Sequence, residues 1–299
     1  MHSPDLELTL PAFLFQRFME IKKNASLEKY TTMRLPGSAD YFVEVKNKEE
    51  LMEAVSFSKK NDLPFFILGA GSNTLFPQRY EGLVIKMEMK EVSLQEEGEE
   101  IVVRAGAGVS LVWLSRKITE MGGVGMEWGT GVPGSVGGAV RGNAGSFGNC
   151  MADFVTKVHT LEKTFSSEEC LFGYRESVFK KKEDFIITEV EMRVPKGEGG
   201  EEKIEQLLSL RKEKQPHQPS AGSVFKNIED MPVASLIEQC GLKGERRGGA
   251  QISEKHANFI VNTGGATRED VDYLIDLIKR KVKEKFDLEI EEEVDRIKK

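Results

Sequence analysis

The sequence predicts an α+β protein built from more than one packed unit, and three observations lead there. Strand-like and helical periods alternate locally over residues 41–87, but from residue 91 onward strand-like segments follow one another in series. That order favours segregated α+β units over a doubly wound sheet. The glycines cluster in loops that follow strands without opening into a Rossmann-type helix. At 299 residues the chain also stands at the upper size for one hydrophobic core, so two or three units are expected.

The elements follow in order. Residues 41–45 are strand-like, and Leu51, Ala54, Val55 and Phe57 recur at helical spacing across residues 48–60. A short apolar strand, 64–68, runs into glycine. Segments 92–94 and 101–105 flank an acidic turn, and 111–121 is helical. Residues 122–148 are too glycine-rich for regular structure, and strands resume at 155–161 and 185–194. The polar run 196–203 reads as a hinge, which divides the chain into units 1–88, 89–196 and 197–299. Beyond it Ile204, Leu207, Leu208 and Arg211 lie on a helix. The last long helix starts at Thr267, with Asp270 three residues on as a partial capping box. Its stripe of Val271, Leu274, Ile275, Ile278 and Val282 is core. At the other end, Leu6, Leu8, Leu10, Phe13 and Leu14 suggest a short docking helix; no basic segment precedes them, so a signal peptide is not expected.

Charge and composition exclude several classes. With 42 basic and 49 acidic side chains the net charge is −7, which argues against a general nucleic-acid binder. No apolar run approaches bilayer length. Cys150, Cys170 and Cys240 are odd in number and widely spaced, and neither a CxxC pair nor an HExxH motif occurs. No disulfide framework and no metal site are expected, and the chain reads as a cytoplasmic, acidic protein.

Three glycine-rich loops are candidates for binding a phosphate. Gly69-Ala70-Gly71-Ser72-Asn73-Thr74 begins like a dinucleotide fingerprint, but Thr74 replaces the third glycine and Pro77 forbids the helix that should follow. Successive backbone N–H groups can form an anion nest without a helix; a tight turn is the plainer alternative. Gly106-Ala107-Gly108 reads as a strand-to-helix turn. The third loop carries seven glycines between residues 129 and 145, including Gly131-Val132-Pro133-Gly134-Ser135-Val136-Gly137-Gly138-Ala139. So much conformational entropy is a heavy cost unless backbone must approach a ligand closely. No Walker A lysine pattern occurs, so nucleotide hydrolysis is not supported.

At these residues the sequence resembles the enolpyruvyl-UDP-GlcNAc reductases of bacterial cell-wall synthesis, the MurB family (UDP-N-acetylmuramate dehydrogenases). The matching pieces begin with Thr31-Thr-Met-Arg34-Leu-Pro-Gly37, the loop 69–73, the loop 131–139 and Asn143-Ala144-Gly145. They continue with Gly173-Tyr174-Arg175-Glu176-Ser177, Pro219-Ser-Ala-Gly-Ser223-Val-Phe-Lys226-Asn227, Gly249-Ala-Gln-Ile-Ser253 and His256-Ala-Asn-Phe259. The resemblance runs from about residue 31 to residue 294 and implies an FAD-binding fold of two subdomains, of the vanillyl-alcohol-oxidase/PCMH type, with a C-terminal α+β substrate domain. It implies that Gly69, Ala70, Gly71, Ser72 and Asn73, with Gly131, Pro133, Gly134, Ser135, Gly137, Gly138 and Ala139, hold FAD. NADPH would be the reductant, visiting the flavin site rather than a Rossmann domain of its own.

The implied reaction is two hydride transfers, from NADPH to FAD and from FAD to the enolpyruvyl vinyl carbon, yielding UDP-N-acetylmuramate for peptidoglycan. Such a step needs charge stabilisation at the carboxylate and a proton donor at the neighbouring carbon. Arg175 matches the family arginine that steadies the enolate, with Tyr174 beside it; a surface arginine is the alternative. Ser223 matches the proton donor, although a lone serine after glycine is otherwise a turn hydroxyl. Glu293 matches a C-terminal carboxylate by its register against Val294, with Glu291 and Glu292 as chemically equal neighbours; a solvated acidic tail is the rival reading. Lys214 matches a basic contact to the UDP pyrophosphate, and Asn227 and His256 would line the substrate pocket; His256 could equally be a satisfied polar residue at a strand start.

Pro36 and Glu292 depart from the family pattern, and the span between residues 194 and 223 is short for an extra substrate loop, so the chain resembles the compact type II subclass. The expected partner is the small-molecule nucleotide sugar, with no nucleic acid, no membrane and a monomeric chain. Two other readings stay open at this point, another FAD-dependent oxidoreductase of the same fold and a nucleotide-sugar binding protein without redox activity.

Overall fold

The computed structural model describes residues 19–182, 184–228 and 231–298. The docking helix expected over the first nineteen residues lies almost wholly outside them. The first unit is a four-stranded sheet in the order Lys22–Ser26, Ser38–Val45, Arg79–Met87, Phe65–Leu68. Its last three strands are parallel and the first is antiparallel. Helix Lys48–Lys60 has the bounds the apolar spacing predicts. Asn47 caps it by accepting from the Glu50 N–H, Glu49 and Glu50 open it, and Lys59 and Lys60 close it against the helix dipole.

The second unit is a five-stranded antiparallel sheet in the order Thr164–Ser166, Val155–Thr160, Ile187–Pro195, Glu100–Gly106, Val92–Glu97. Helix Leu111–Glu120, capped by Ser110, buries Leu111, Leu114 and Ile118. The first two units share one apolar core: Val43, Leu51 and Ile85 of the first belong to the same cluster as Val103, Val158 and Val190 of the second.

The glycine-rich stretch is more ordered than its composition suggests. It contains a 3-10 turn, Glu127–Gly131, and a short helix, Val136–Arg141, capped by Ser135. Several of its glycines are there for packing. A Cβ on Gly137 would come within 2.7 Å of the Ala107 Cβ, and one on Gly129 would collide with the Ser115 side chain. At these two points the short helices approach their neighbours closely because Gly129 and Gly137 carry no Cβ.

The third unit pairs Ser220–Ser223, Phe259–Asn262, Ala250–Ile252 and Arg246–Arg247 in an antiparallel sheet. Helix Arg268–Phe286 covers it, with a complete Thr267/Asp270 capping box and the expected apolar stripe buried. The hinge at 196–203 does not separate packed units. Helix Gly200–Lys214 begins inside it, and Leu207 belongs to the core shared by the first two units. The third core takes residues from Ala221 onward, together with Met33, Leu35 and Leu75 of the first unit.

The chain then returns: Asp295–Arg296 pairs in parallel with Thr74–Leu75 of the first unit. Among the described residues no helix is long and apolar enough to cross a membrane.

Candidate active site

The site is assembled where the three units meet. Gly173, Tyr174, Arg175 and Glu176 form a tight turn closed by reciprocal main-chain bonds, Gly173 N–H to Glu176 O (3.0 Å) and Glu176 N–H to Gly173 O (3.2 Å). The turn forces Arg175 into the left-handed region at φ 58°, a conformation that a non-glycine residue adopts at some cost. Asn143 meets part of that cost, its Nδ2 donating to Gly173 O at 2.8 Å while its Oδ1 accepts from the Ala152 N–H at 3.0 Å.

So held, Arg175 reaches in two directions. Its Nε donates to Glu293 Oε1 at 2.6 Å and its Nη2 to Gly145 O at 2.9 Å. Nη1 has no partner among the described residues, which leaves one edge of the planar guanidinium available to a carboxylate. The Tyr174 ring lies 5.1 Å from the guanidinium carbon, and its hydroxyl accepts from the Asn227 N–H at 3.3 Å.

The acidic run at the C-terminus is sorted by geometry. Glu293 pairs with Arg175, Glu291 with Lys226 at 2.6 Å, and Glu292 with Arg296 and Lys279 at 2.6 and 2.9 Å. Extended backbone explains the alternation: Glu291 and Glu293 face the site and Glu292 turns to the long helix. The Glu293 main chain is fixed from two sides, its N–H donating to Val224 O and its carbonyl accepting from Asn73 Nδ2, both at 2.8 Å. Asn73 thereby joins the first glycine loop to the carboxylate.

Ser223 ends its strand beside Val224, after Gly222 in the left-handed region at φ 76°. Its hydroxyl is half-buried and makes no hydrogen bond among the described residues, so it is not consumed as a turn hydroxyl.

The remaining expected contacts are distributed differently. Asn227 Oδ1 accepts from the Val233 N–H at 3.2 Å, which satisfies the first N–H of helix Val233–Gln239 behind its N-cap residue Pro232. Lys214 is exposed at the end of its helix and has no ion pair among the described residues. His256 packs edge-on against Phe259 at 4.8 Å, and its buried Nδ1 lacks a hydrogen bond. Burial is the main influence pushing its pKa down. Among the described residues no hydrogen bond or ion pair joins it to Arg175, Glu293 or Ser223.

The two glycine loops face each other. A Cβ on Gly69 would collide with Ser135 Oγ, and one on Gly134 would come within 3.9 Å of Ser72 Oγ. Gly71, at φ 64°, leaves no room for a side chain beside Tyr30 O. The N–H groups of residues 70–73, 134 and 135 donate to no protein acceptor among the described residues. Backbone donors without acceptors on two abutting loops make the nest a diphosphate requires. A cavity of about 550 Å³ opens beside them, lined among others by Gly69, Gly137, Gly138, Phe66, Phe179 and Ile187. Unpaired donors beside an apolar slot fit a dinucleotide such as FAD, which carries a diphosphate and flat rings.

Sequence reasoning passed over Arg211. It rises from helix Gly200–Lys214 against Gly131, where its Nε would stand 2.6 Å from a Cβ. Nη2 donates to Ser146 Oγ at 3.1 Å, Nη1 to Gln215 Oε1 at 3.3 Å, and the buried Nε to nothing. No carboxylate pairs with this guanidinium among the described residues, and burial lowers its pKa. Ser146 adjoins Gly145, so Arg175 and Arg211 grip adjacent residues of one short strand. The available signal was its place one turn before Lys214 on a helix with few buried residues.

The chain is similar in sequence and in fold to known proteins. Residues 39–164 match a family profile described as an FAD binding domain, and residues 215–297 match the C-terminal domain of UDP-N-acetylenolpyruvoylglucosamine reductase. The reductase of that name from Thermotoga maritima is 42% identical over 277 residues, covering 90% of this chain and 96% of the relative. Its counterpart from Alkaliphilus oremlandii is 40% identical, covering 90% of each. The crystal structure of the Thermus caldophilus reductase, MurB, superposes with a TM-score of 0.79 at 33% identity, covering 94% of this chain and all of that one. The FAD-binding domain expected from the sequence is therefore present, in a chain with the fold of MurB. With the same domains in the same order over nearly its whole length, the chain belongs to the UDP-N-acetylenolpyruvoylglucosamine reductase family.

Proposed function

We propose that this chain, as an NADPH-dependent, FAD-mediated reductase of UDP-N-acetylglucosamine enolpyruvate in peptidoglycan precursor synthesis, works through Arg175, Ser223 and Glu293. The observation that carries the assignment is the Arg175–Glu293 pair at 2.6 Å, made between the second unit and a segment pinned to both the others. The chemistry FAD supplies when bound is relay of hydride from NADPH to the vinyl carbon distal to the ether.

Negative charge then collects on the adjoining carbon and its carboxylate. The free Nη1 edge of Arg175 takes that carboxylate, while Glu293 holds the guanidinium from turning away. Ser223 gives its hydroxyl proton to the carbanionic carbon, completing the saturated lactyl ether, and recovers a proton from solvent. A hydroxyl suffices because the acceptor is strongly basic. The open donors of residues 70–73, 134 and 135 hold the FAD diphosphate, with Gly131, Pro133, Gly137, Gly138 and Ala139 shaping the approach. Arg211 brings uncompensated positive charge to the same wall. Lys214 supplies a cation for the nucleotide-sugar diphosphate, and Tyr174, Asn227 and His256 contribute to the substrate wall. The chain is proposed to act as a monomer in the cytoplasm.

An anaerobic visible spectrum tests the reading. The flavin band should bleach on adding NADPH and return on adding enolpyruvyl-UDP-GlcNAc. A protein that stays colourless after incubation with FAD, or one that bleaches and never recovers with the second compound, refutes it.

A further inference from the structure

Lys226 is the most enclosed cation in the neighbourhood of the site, its side chain only 8% exposed. Its ammonium lies 2.7 Å from Glu176 Oε1 and 2.6 Å from Glu291 Oε1. Those carboxylates belong to the neighbours of the proposed catalytic pair: Glu176 follows Arg175, and Glu291 stands two residues before Glu293. We propose that Lys226 is a positioning residue, whose ammonium ties the Arg175 turn to the segment carrying Glu293 and so sets the aim of the guanidinium. The inference rests on the reductase reading above.

The two halves of the clamp are unequal. The C-terminal segment is already fixed to the third unit by main-chain bonds, Lys226 N–H to Glu291 O at 2.9 Å and Glu293 N–H to Val224 O at 2.8 Å. Glu291 is also 72% exposed. The Arg175 turn has no such main-chain attachment. It reaches the third unit through the long Tyr174 hydroxyl contact and through Lys226–Glu176, and it reaches the C-terminal segment through Arg175–Glu293. A charge-assisted bond is the stronger kind, so the Lys226–Glu176 arm governs the register of the turn.

The same arm controls electrostatics. Lys226 is the first influence holding the Glu176 carboxyl below its ordinary range; burial opposes it, and Lys180 and Lys181 assist. Lys226 itself is desolvated, but Glu176 and Glu291 keep it charged. Without the ammonium, Glu176 is an ungripped carboxylate one residue from Arg175, faced only by Lys180 and Lys181, and it competes with Glu293 for the guanidinium.

The test uses the FAD holoenzyme and separates the half-reactions. Lys226→Met should leave the rate of NADPH-driven bleaching within about twofold of the wild type and slow reoxidation by enolpyruvyl-UDP-GlcNAc about 30-fold. Lys226→Met combined with Glu176→Gln, which removes the competing charge, should reoxidise no more slowly than Lys226→Met alone. Lys226→Arg should stay within about fivefold of the wild type. If Lys226→Met fails to retain FAD, Glu176→Gln carries the test, with a roughly tenfold loss confined to reoxidation. Equal losses in both half-reactions, multiplicative losses in the double variant, or wild-type reoxidation in Glu176→Gln would overturn the proposal. A wild-type enzyme that is not reoxidised would instead overturn the reductase reading.

Discussion

Replacing Glu293 by Gln keeps the shape of the side chain and removes its charge, which isolates what the carboxylate does for Arg175. The pair is 2.6 Å apart and both side chains are about four-fifths enclosed, at 23% and 20% exposure. At an intermediate effective dielectric two unit charges 4 Å apart attract by about 4 kcal/mol, part of which desolvation consumes. A neutral amide can still accept from Nε, so the loss is the difference between a charged and an uncharged hydrogen bond, about 1–2 kcal/mol. That alone would slow reoxidation about 5- to 30-fold, and misdirection of the freed guanidinium adds to it, so a loss of about 100-fold is expected. Glu291→Gln is the control. Lys226 retains Glu176, and Glu291 is held by its main chain, so reoxidation should stay within about threefold. Rapid mixing of NADPH-reduced enzyme with enolpyruvyl-UDP-GlcNAc under anaerobic conditions measures both. The reverse order, or equal losses, would show that the C-terminal register is misassigned.

Three further substitutions probe other parts of the molecule. Ser223→Ala should bleach normally with NADPH and lose reoxidation by at least about 100-fold, the range of general acid catalysis; loss of both half-reactions would remove the role given to the hydroxyl. Arg211→Met deletes a desolvated cation that lacks a carboxylate partner, so the apoprotein should melt no lower than the wild type while FAD affinity falls about tenfold. A marked drop in the apoprotein melting temperature would instead make Arg211 a structural residue. Glu191 links His159, Arg104 and Lys157 on the outer face of the second sheet. Burial pushes its carboxyl up, but hydrogen bonds from His159 and Arg104 prevail and hold it at about 2. A depressed carboxyl contributes stability that is full above its unfolded pKa and is lost as pH falls toward the folded one. Glu191→Gln should therefore lower stability by about 2–3 kcal/mol near pH 7, with the gap to the wild type closing between about pH 5 and pH 2. A gap independent of pH would contradict the linkage.

Much of the fold was legible because local signals and packing agree. Helix Lys48–Lys60 announces its bounds through Asn47, its terminal charges and its apolar spacing, and helix Arg268–Phe286 does so through its capping box and stripe. The order inside residues 122–148 was hidden because glycine propensity opposes helix, whereas Val136–Arg141 exists by packing that only glycine permits, as Gly137 against Ala107 demonstrates. The hinge at 196–203 misled for a related reason: its polar residues open a helix whose partner, the turn Glu127–Gly131, lies 70 residues earlier. Motifs named the residues of the site but not their work. Asn143 and Gly145 stood out only as part of a glycine-rich match, yet they hold and receive the Arg175 turn. Partners 30 residues apart leave no trace in local spacing.

The acidic C-terminal run illustrates the limit most sharply. Five carboxylates between residues 289 and 295 have the composition of a solvated tail, and composition has no means of registering cations supplied from elsewhere in the chain. Arg175 and Arg141 come from the second unit to Glu293 and Asp295, Lys226 from the third to Glu291, and Lys279 from the long helix to Glu292. The main chain of the same segment pairs with Thr74–Leu75 of the first unit and bonds to Val224 of the third. One stretch of extended backbone therefore touches every unit, and its period of two sends alternate carboxylates to opposite sides. That geometry explains why the proposed catalytic carboxylate lies here. A carboxylate meant to orient an arginine at a three-way junction needs a backbone fixed independently of the arginine. The last crossing of the chain, hydrogen-bonded at Asn73 on one side and Val224 on the other, provides such a backbone for Glu293.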